Sequence, residues 1–167
     1  MTRNKQLALF TAFVSLAAAG SFIKIPSPAG SVAFDSMPAL AAAALMSPWS
    51  GVAVACFGHL LSAGLAGFPL GPLHVMVAVQ MGLLAFFYGV LYRRNAKRAA
   101  TLMFVIGNGI LAPLCFWPVL GKAVVIGLIP SLLAAAVLNG LTALIIIPRI
   151  KPAFLQSAMR IDHEKKT

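Results

Sequence analysis

Apolar residues run along the chain in six long blocks, broken by short polar or turn-forming stretches. The blocks are too continuous for soluble amphipathic helices. They predict helices over approximately 6–23, 36–47, 49–66, 73–92, 99–118 and 128–148, followed by a charged tail over 149–167. Each breakpoint has its own chemistry. Pro26, Pro28 and Gly30 interrupt the chain after the first block, and Asp35 and Ser36 stand where a helix N-cap belongs, with Pro38 in the first turn. Ser47, Pro48 and Trp49 then form a tight turn, and Ala66–Pro72 is an uncharged loop of two glycines and two prolines. Pro113 and Pro118 break the fifth block near its end, while Pro130 suits the first turn of the sixth and Pro148 its close.

Hydrophobic residues make up 60% of the 167 and charged ones only 10%, which excludes a soluble domain. A membrane crossing takes roughly 20 apolar residues, so the length fits an all-α integral membrane protein, a single domain of six transmembrane helices over 1–167. The net charge of +10 could suit nucleic acid, but its placement argues against that. Eleven of the thirteen Lys and Arg residues fall on the side of the termini, in Arg3, Lys5, the Arg93–Arg98 run and the tail, leaving only Lys24 and Lys122 opposite. That asymmetry orients both termini to the cytoplasm and places the protein in the cytoplasmic membrane as a multi-pass chain. The first block could also serve as a cleaved signal peptide, with Ala17–Ala19 before Gly20. A retained helix keeps the charge count consistent. Cys56 and Cys115 lie in separate apolar blocks and read as small core residues.

Polar residues at membrane depth are expensive and mark sites. His59 lies ten residues past Trp49, about 15 Å deep, and Gln80 seven past Leu73, about 10 Å from the other surface. Asn108 and Asn139 each sit about 13 Å in. Together they describe an outward cup of amides and an imidazole, with Phe34, Phe68 and Trp117 at its rim beneath the loops at 24–36 and 66–72. Each amide could equally be an interhelical hydrogen bond, and His59 a packed core histidine. Asp35 could cap a helix, contact a ligand or pair with Lys24. His74, at a helix start beside a loop, reads as interfacial.

What is missing bears on catalysis. Asp35 is the single carboxylate of the membrane region, so paired-acid hydrolysis, two-metal chemistry and an acidic proton relay lack residues. No phosphate-binding G-x-x-x-x-G-K-[ST] loop and no G-x-S-x-G turn is present. The chain is expected to be no enzyme, to use no cofactor and to bind no metal or nucleic acid. A small self-sufficient channel or carrier would need a coupling acid or a polar stripe, and an intramembrane enzyme or assembly factor would depend on His59.

Several stretches resemble the substrate-binding S components of energy-coupling factor (ECF) vitamin transporters. They are FDSMP from Phe34, GHLLSA from Gly58, GFPLGP from Gly67 and GNGILAP from Gly107. Within that family they look most like the α-ribazole or cobalamin-precursor subgroup. The resemblance implies a binding subunit that takes a vitamin or precursor from outside, most plainly α-ribazole, with cobalamin, riboflavin or pantothenate as alternatives. It implies as partners a membrane T component and two cytoplasmic ATPases, with toppling in the bilayer as the transport step. The family's docking motif, Ala-x-x-x-Ala on the first helix, maps onto Ala8 and Ala12. Thr2 stands where nickel and cobalt members carry histidine. The substrate-binding residues expected are Phe34, Asp35, His59, Phe68, Gln80, Asn108, Trp117 and Asn139.

Overall fold

The computed structural model describes residues 3–27 and 30–164, with side chains outside 24–32 and 157–164. Thr2, Lys165 and Lys166 lie outside the described residues, and the Lys24 half of the pairing weighed with Asp35 lies outside the described side chains. The chain is helical apart from one short hairpin. Its elements are α1 (Arg3–Gly20), β1 (Lys24–Ser27), β2 (Gly30–Ala33), α2 (Met37–Leu45), α3 (Pro48–Leu65) and α4 (Leu73–Arg93). There follow α5 (Lys97–Ile106), a π-helical turn (Gly107–Leu111), α6 (Ala112–Leu114), α7 (Trp117–Leu120) and α8 (Lys122–Glu164). β1 and β2 pair antiparallel, with Lys24 opposite Ala33 and Ser27 opposite Gly30, where the proline and glycine content suggests only a loop.

Among the described residues, four helical segments are long and apolar enough to cross a membrane: Pro48–Leu65, Leu73–Arg93, Lys97–Leu120 and Lys122–Gln156. The second apolar block gives something shorter than expected. α2 has nine residues and is about 14 Å long, half the hydrocarbon thickness of roughly 30 Å. It is buried from Pro38 to Ala44, and small residues explain how. A Cβ on Gly51 of α3 would stand 2.4 Å from the Ala43 Cβ, and one on Gly89 of α4 would stand 3.0 Å from it. Only glycine lets α3 and α4 close on the alanine-rich helix from both sides. Tyr88, Tyr92, Phe104 and Ile147 complete the core on one flank of α2, and Val54, Ala55 and Ala85 on the other.

Two helix ends follow local rules. The Ser47 hydroxyl accepts from the Ser50 amide at 3.0 Å, with Pro48 in the first turn of α3. After α4 the chain turns at Asn95, with φ of 63° in the left-handed region that asparagine tolerates.

The sixth block departs from its expected bounds. α8 begins at Lys122 rather than near 128, and it passes through Pro130, Pro148 and Pro152 to Glu164. The stop expected at Pro148 and the separate tail are therefore corrected. Each proline removes one backbone donor, but the flanking turns on either side hold the helix across the gap.

Candidate functional site

The site begins with a defect in the fifth helix. Pro113 has no amide proton, so the Gly109 carbonyl cannot receive its α-helical bond. The backbone widens instead, and the Ala112 amide donates to the Gly107 carbonyl, five residues back, through a π-helical turn. Gly109 lets that turn lie against α8, for a Cβ there would stand 2.8 Å from the Leu133 Cα. The turn carries Asn108, whose amide makes no hydrogen bond to another described residue.

Facing it is a cavity of about 210 Å³ between α3, α4, the π turn with α6, and α8. His59, His74, Gln80 and Asn108 supply its polar groups, while Leu70, Val77, Phe116, Leu128 and Leu132 are among its apolar walls. Among the described residues no carboxylate, lysine or arginine lines it. The Gln80 amide nitrogen lies 3.5 Å from the Ala112 carbonyl, at the limit of a hydrogen bond, so most of its bonding capacity is uncommitted.

The two histidines form a chain with the outer loop. His59 Nε2 and His74 Nδ1 are 3.1 Å apart, and the Leu70 amide donates to His74 Nε2 at 3.2 Å. The loop that supplies Leu70 is tightly wound, with positive φ at Gly67 (80°), Phe68 (49°) and Gly71 (54°). Phe68 sets its ring edge-on to His74 at 5.8 Å and remains 46% exposed.

A larger groove of about 630 Å³ opens at the α2–α3 turn, the end of α3 remote from this loop. Arg3, Gln6, Trp49 and Ser50 are among its lining residues. The smaller cavity is the better candidate, because it is the one that gathers two largely uncommitted amides and a bonded pair of imidazoles from α3, α4 and the π turn.

The remaining polar residue of the expected cup does other work. Asn139 is 1% exposed, and its Oδ1 accepts from the Ser36 and Met37 amides at 3.0 and 2.8 Å. Its Nδ2 donates to the Ala33 and Ala135 carbonyls at 2.8 and 2.9 Å. All four bonding positions of the amide are used, so α8 caps α2 and fastens the end of the hairpin. This replaces the local cap expected from Asp35 and Ser36. Ser36 makes no side-chain cap, and its hydroxyl donates to Asp35 Oδ1 at 3.1 Å.

The comparisons with known proteins agree with this architecture. Residues 2–161 match the model of the family described as ECF-type riboflavin transporter, S component. The chain belongs to that family. No curated protein matches it. A solved structure described as the S component of a bacterial ECF transporter is similar at a TM-score of 0.66 and 19% identity, covering 92% of this chain and 99% of that one. At that identity the likeness speaks for the fold.

In this S component, then, the structure brings together His59, Gln80 and Asn108, while Phe68 lies outside the lining and touches it only through His74. It does not bring Phe34, Asp35, Trp117 or Asn139 to the cavity wall. The Phe34 amide is tied to the Gly20 carbonyl at 3.1 Å, and Trp117 is 41% exposed with the Lys122 ammonium 5.9 Å from its ring centre. Two residues are added. Phe116, 6% exposed, is the aromatic wall, and His74, 7% exposed, is a buried wall residue rather than an interfacial one. On α1, Ala8 and Ala12 are both exposed, on the side turned away from Phe13, Val14 and Ala17, which pack inward.

Proposed function

We propose that this S component binds an uncharged vitamin or precursor built of a fused aromatic ring and sugar-type hydroxyls, with α-ribazole the first candidate. The observation that carries the reading is the cavity's lining, in which three neutral hydrogen-bonding side chains, His59, Gln80 and Asn108, meet an apolar wall without any ionised partner. Amides and a neutral imidazole suit hydroxyls and ring nitrogens, and Phe116 supplies an aromatic wall for stacking, a contact worth about 0.5–1.5 kcal/mol. Pantothenate would bring a carboxylate with no cation to meet it. The corrin of cobalamin far exceeds about 210 Å³, which is already below the roughly 300–1,000 Å³ of usual small-molecule sites. Riboflavin is the second reading, favoured by the family whose model matches. Its tricyclic ring fits a cavity of this size less readily than the bicyclic ring of α-ribazole.

Transport follows from the family role. The subunit would dock through the exposed Ala8 and Ala12 of α1 to a membrane T component served by two cytoplasmic ATPases. Six crossings with both termini inside remain our reading of the charge asymmetry, with α1 and the short α2, which reaches about half-way across by itself, added to the four longer segments. The test is to purify the full chain in detergent from cells supplied with α-ribazole and riboflavin and identify the retained small molecule by mass spectrometry. Stoichiometric α-ribazole is the expected result. Retained riboflavin would select the second reading, and an empty protein with uptake that survives loss of the ATPases would favour a self-sufficient carrier.

A further inference from the structure

The hydrogen bonds around His74 leave one assignment of protons. Its Nε2 accepts from the Leu70 amide, so that nitrogen carries no proton, and a neutral imidazole must then carry its proton on Nδ1. Were His59 the donor between the rings, His74 would hold no proton at all, an anion in a cavity lined by no cation. The His74 Nδ1 proton is therefore donated to His59 Nε2 across 3.1 Å. That bond in turn fixes His59 with its own proton on Nδ1. Among the described residues nothing accepts that proton, the nitrogen is not fully buried, and His59 is one of the residues that line the cavity.

We propose that His74 is the positioning residue that makes His59 a hydrogen-bond donor to the ligand, so that the site selects an unprotonated acceptor, a ring imine nitrogen or a carbonyl oxygen, at that point. The inference rests on the cavity being the ligand site. It adds which atom of the site reads the ligand and which part of the outer loop sets it. A loop opened far enough to withdraw the Leu70 amide frees His74 to exchange its proton position, and the donor at His59 is no longer enforced.

Substitution can separate the two bonds of His74. In His74→Asn an amide nitrogen stands near the Nδ1 position and can still donate to His59. In His74→Gln the amide reaches the Nε2 position and keeps an acceptor for Leu70, but the donor to His59 is lost. The first measurement needs no ligand: long-range proton–nitrogen NMR spectra of the full chain, labelled at histidine and held in detergent. We expect both rings protonated at Nδ1 in the parent, with His59 keeping that form in His74→Asn and becoming a mixture in His74→Gln.

The second measurement is binding of α-ribazole and of its indole analogue, in which C–H replaces the imine nitrogen. The parent should prefer α-ribazole by about tenfold, as for one hydrogen bond left unmade in a buried site. His74→Gln should lose most of that preference, and His74→Asn should retain more of it. His59 protonated at Nε2 in the parent, or equal preference in parent and His74→Gln, overturns the assignment while leaving the vitamin reading intact. Correct proton positions with no binding of α-ribazole or riboflavin overturn the vitamin reading instead, and with it the donor's role toward a ligand.

Discussion

Replacing Asn139 by alanine separates scaffold from site. The change removes an amide that is 1% exposed and leaves the Ser36 and Met37 amide protons and the Ala33 carbonyl without their partner, while Ala135 keeps its helical bond. Each orphaned buried group costs about 1–3 kcal/mol. Ala33 and Met37 are only half-buried, so water recovers part of the loss, and about 3–6 kcal/mol is the expected sum. For a chain of this size each kcal/mol moves Tm by roughly 2–4 °C, which gives a fall of about 6 to 24 °C. The assay is thermal unfolding in detergent, read by the loss of the monodisperse size-exclusion peak after heating. Asn108→Ala is the contrast, since its amide has no partner among the described residues. It should unfold within about 2 °C of the parent and lose ligand affinity about tenfold. If Asn139→Ala also unfolds within about 2 °C of the parent, the amide is no strut and the assignment of these two asparagines to different roles is wrong.

Other expectations follow from the same geometry. Pro113→Ala restores a donor to the Gly109 carbonyl, so the π turn should relax toward α-helix and turn Asn108 off the cavity; titration should show weaker ligand binding, with Tm equal to or above the parent, and unchanged affinity would refute the link. Phe116→Ala should weaken binding by calorimetry by more than Trp117→Ala, because Phe116 walls the cavity while Trp117 is 41% exposed. Exchanging Ala8 and Ala12 for leucine should abolish uptake in cells while ligand still co-purifies; surviving uptake would remove α1 as the docking face.

Much of the arrangement is legible in the sequence because membrane depth is countable. His59, Gln80 and Asn108 meet in one cavity, as their distances along the helices imply. Asn139, counted to that depth from a helix start near Pro130, lies further inside α8, which begins at Lys122, and has a different fate, because its partners lie more than a hundred residues earlier in the chain and no local pattern announces them. His74 has a local signal of its own: a histidine four residues past Leu70, with Gly71 and Pro72 bending the chain between them, can accept from the amide of its own loop. The choice between Phe116 and Trp117 fails for a backbone reason. A π turn adds one residue to the helical count, and neighbouring aromatics then exchange faces in a way that counting by 3.6 does not follow. The prolines of α8 mislead in the opposite sense, because a missing amide weakens a long helix without ending it.

The length of α8 gives the molecule a lever. Leu132, in the cavity wall, lies seven residues on one side of Asn139, and Phe154 lies fifteen on the other, distances of about 10 and 22 Å along one helix whose longer arm contains Pro148 and Pro152. Asn139 is pinned to the start of α2 and serves as the fulcrum. A ligand that pushes Leu132 outward by a given amount would swing Phe154 and its neighbour Leu155 about twice as far in the opposite direction. Those two residues border the crevice that also holds Leu45, Met46 and Arg93. Were α8 to pivot in this way, occupancy of the small cavity would be read at the far end of the bundle, less whatever bending Pro148 and Pro152 allow in the longer arm.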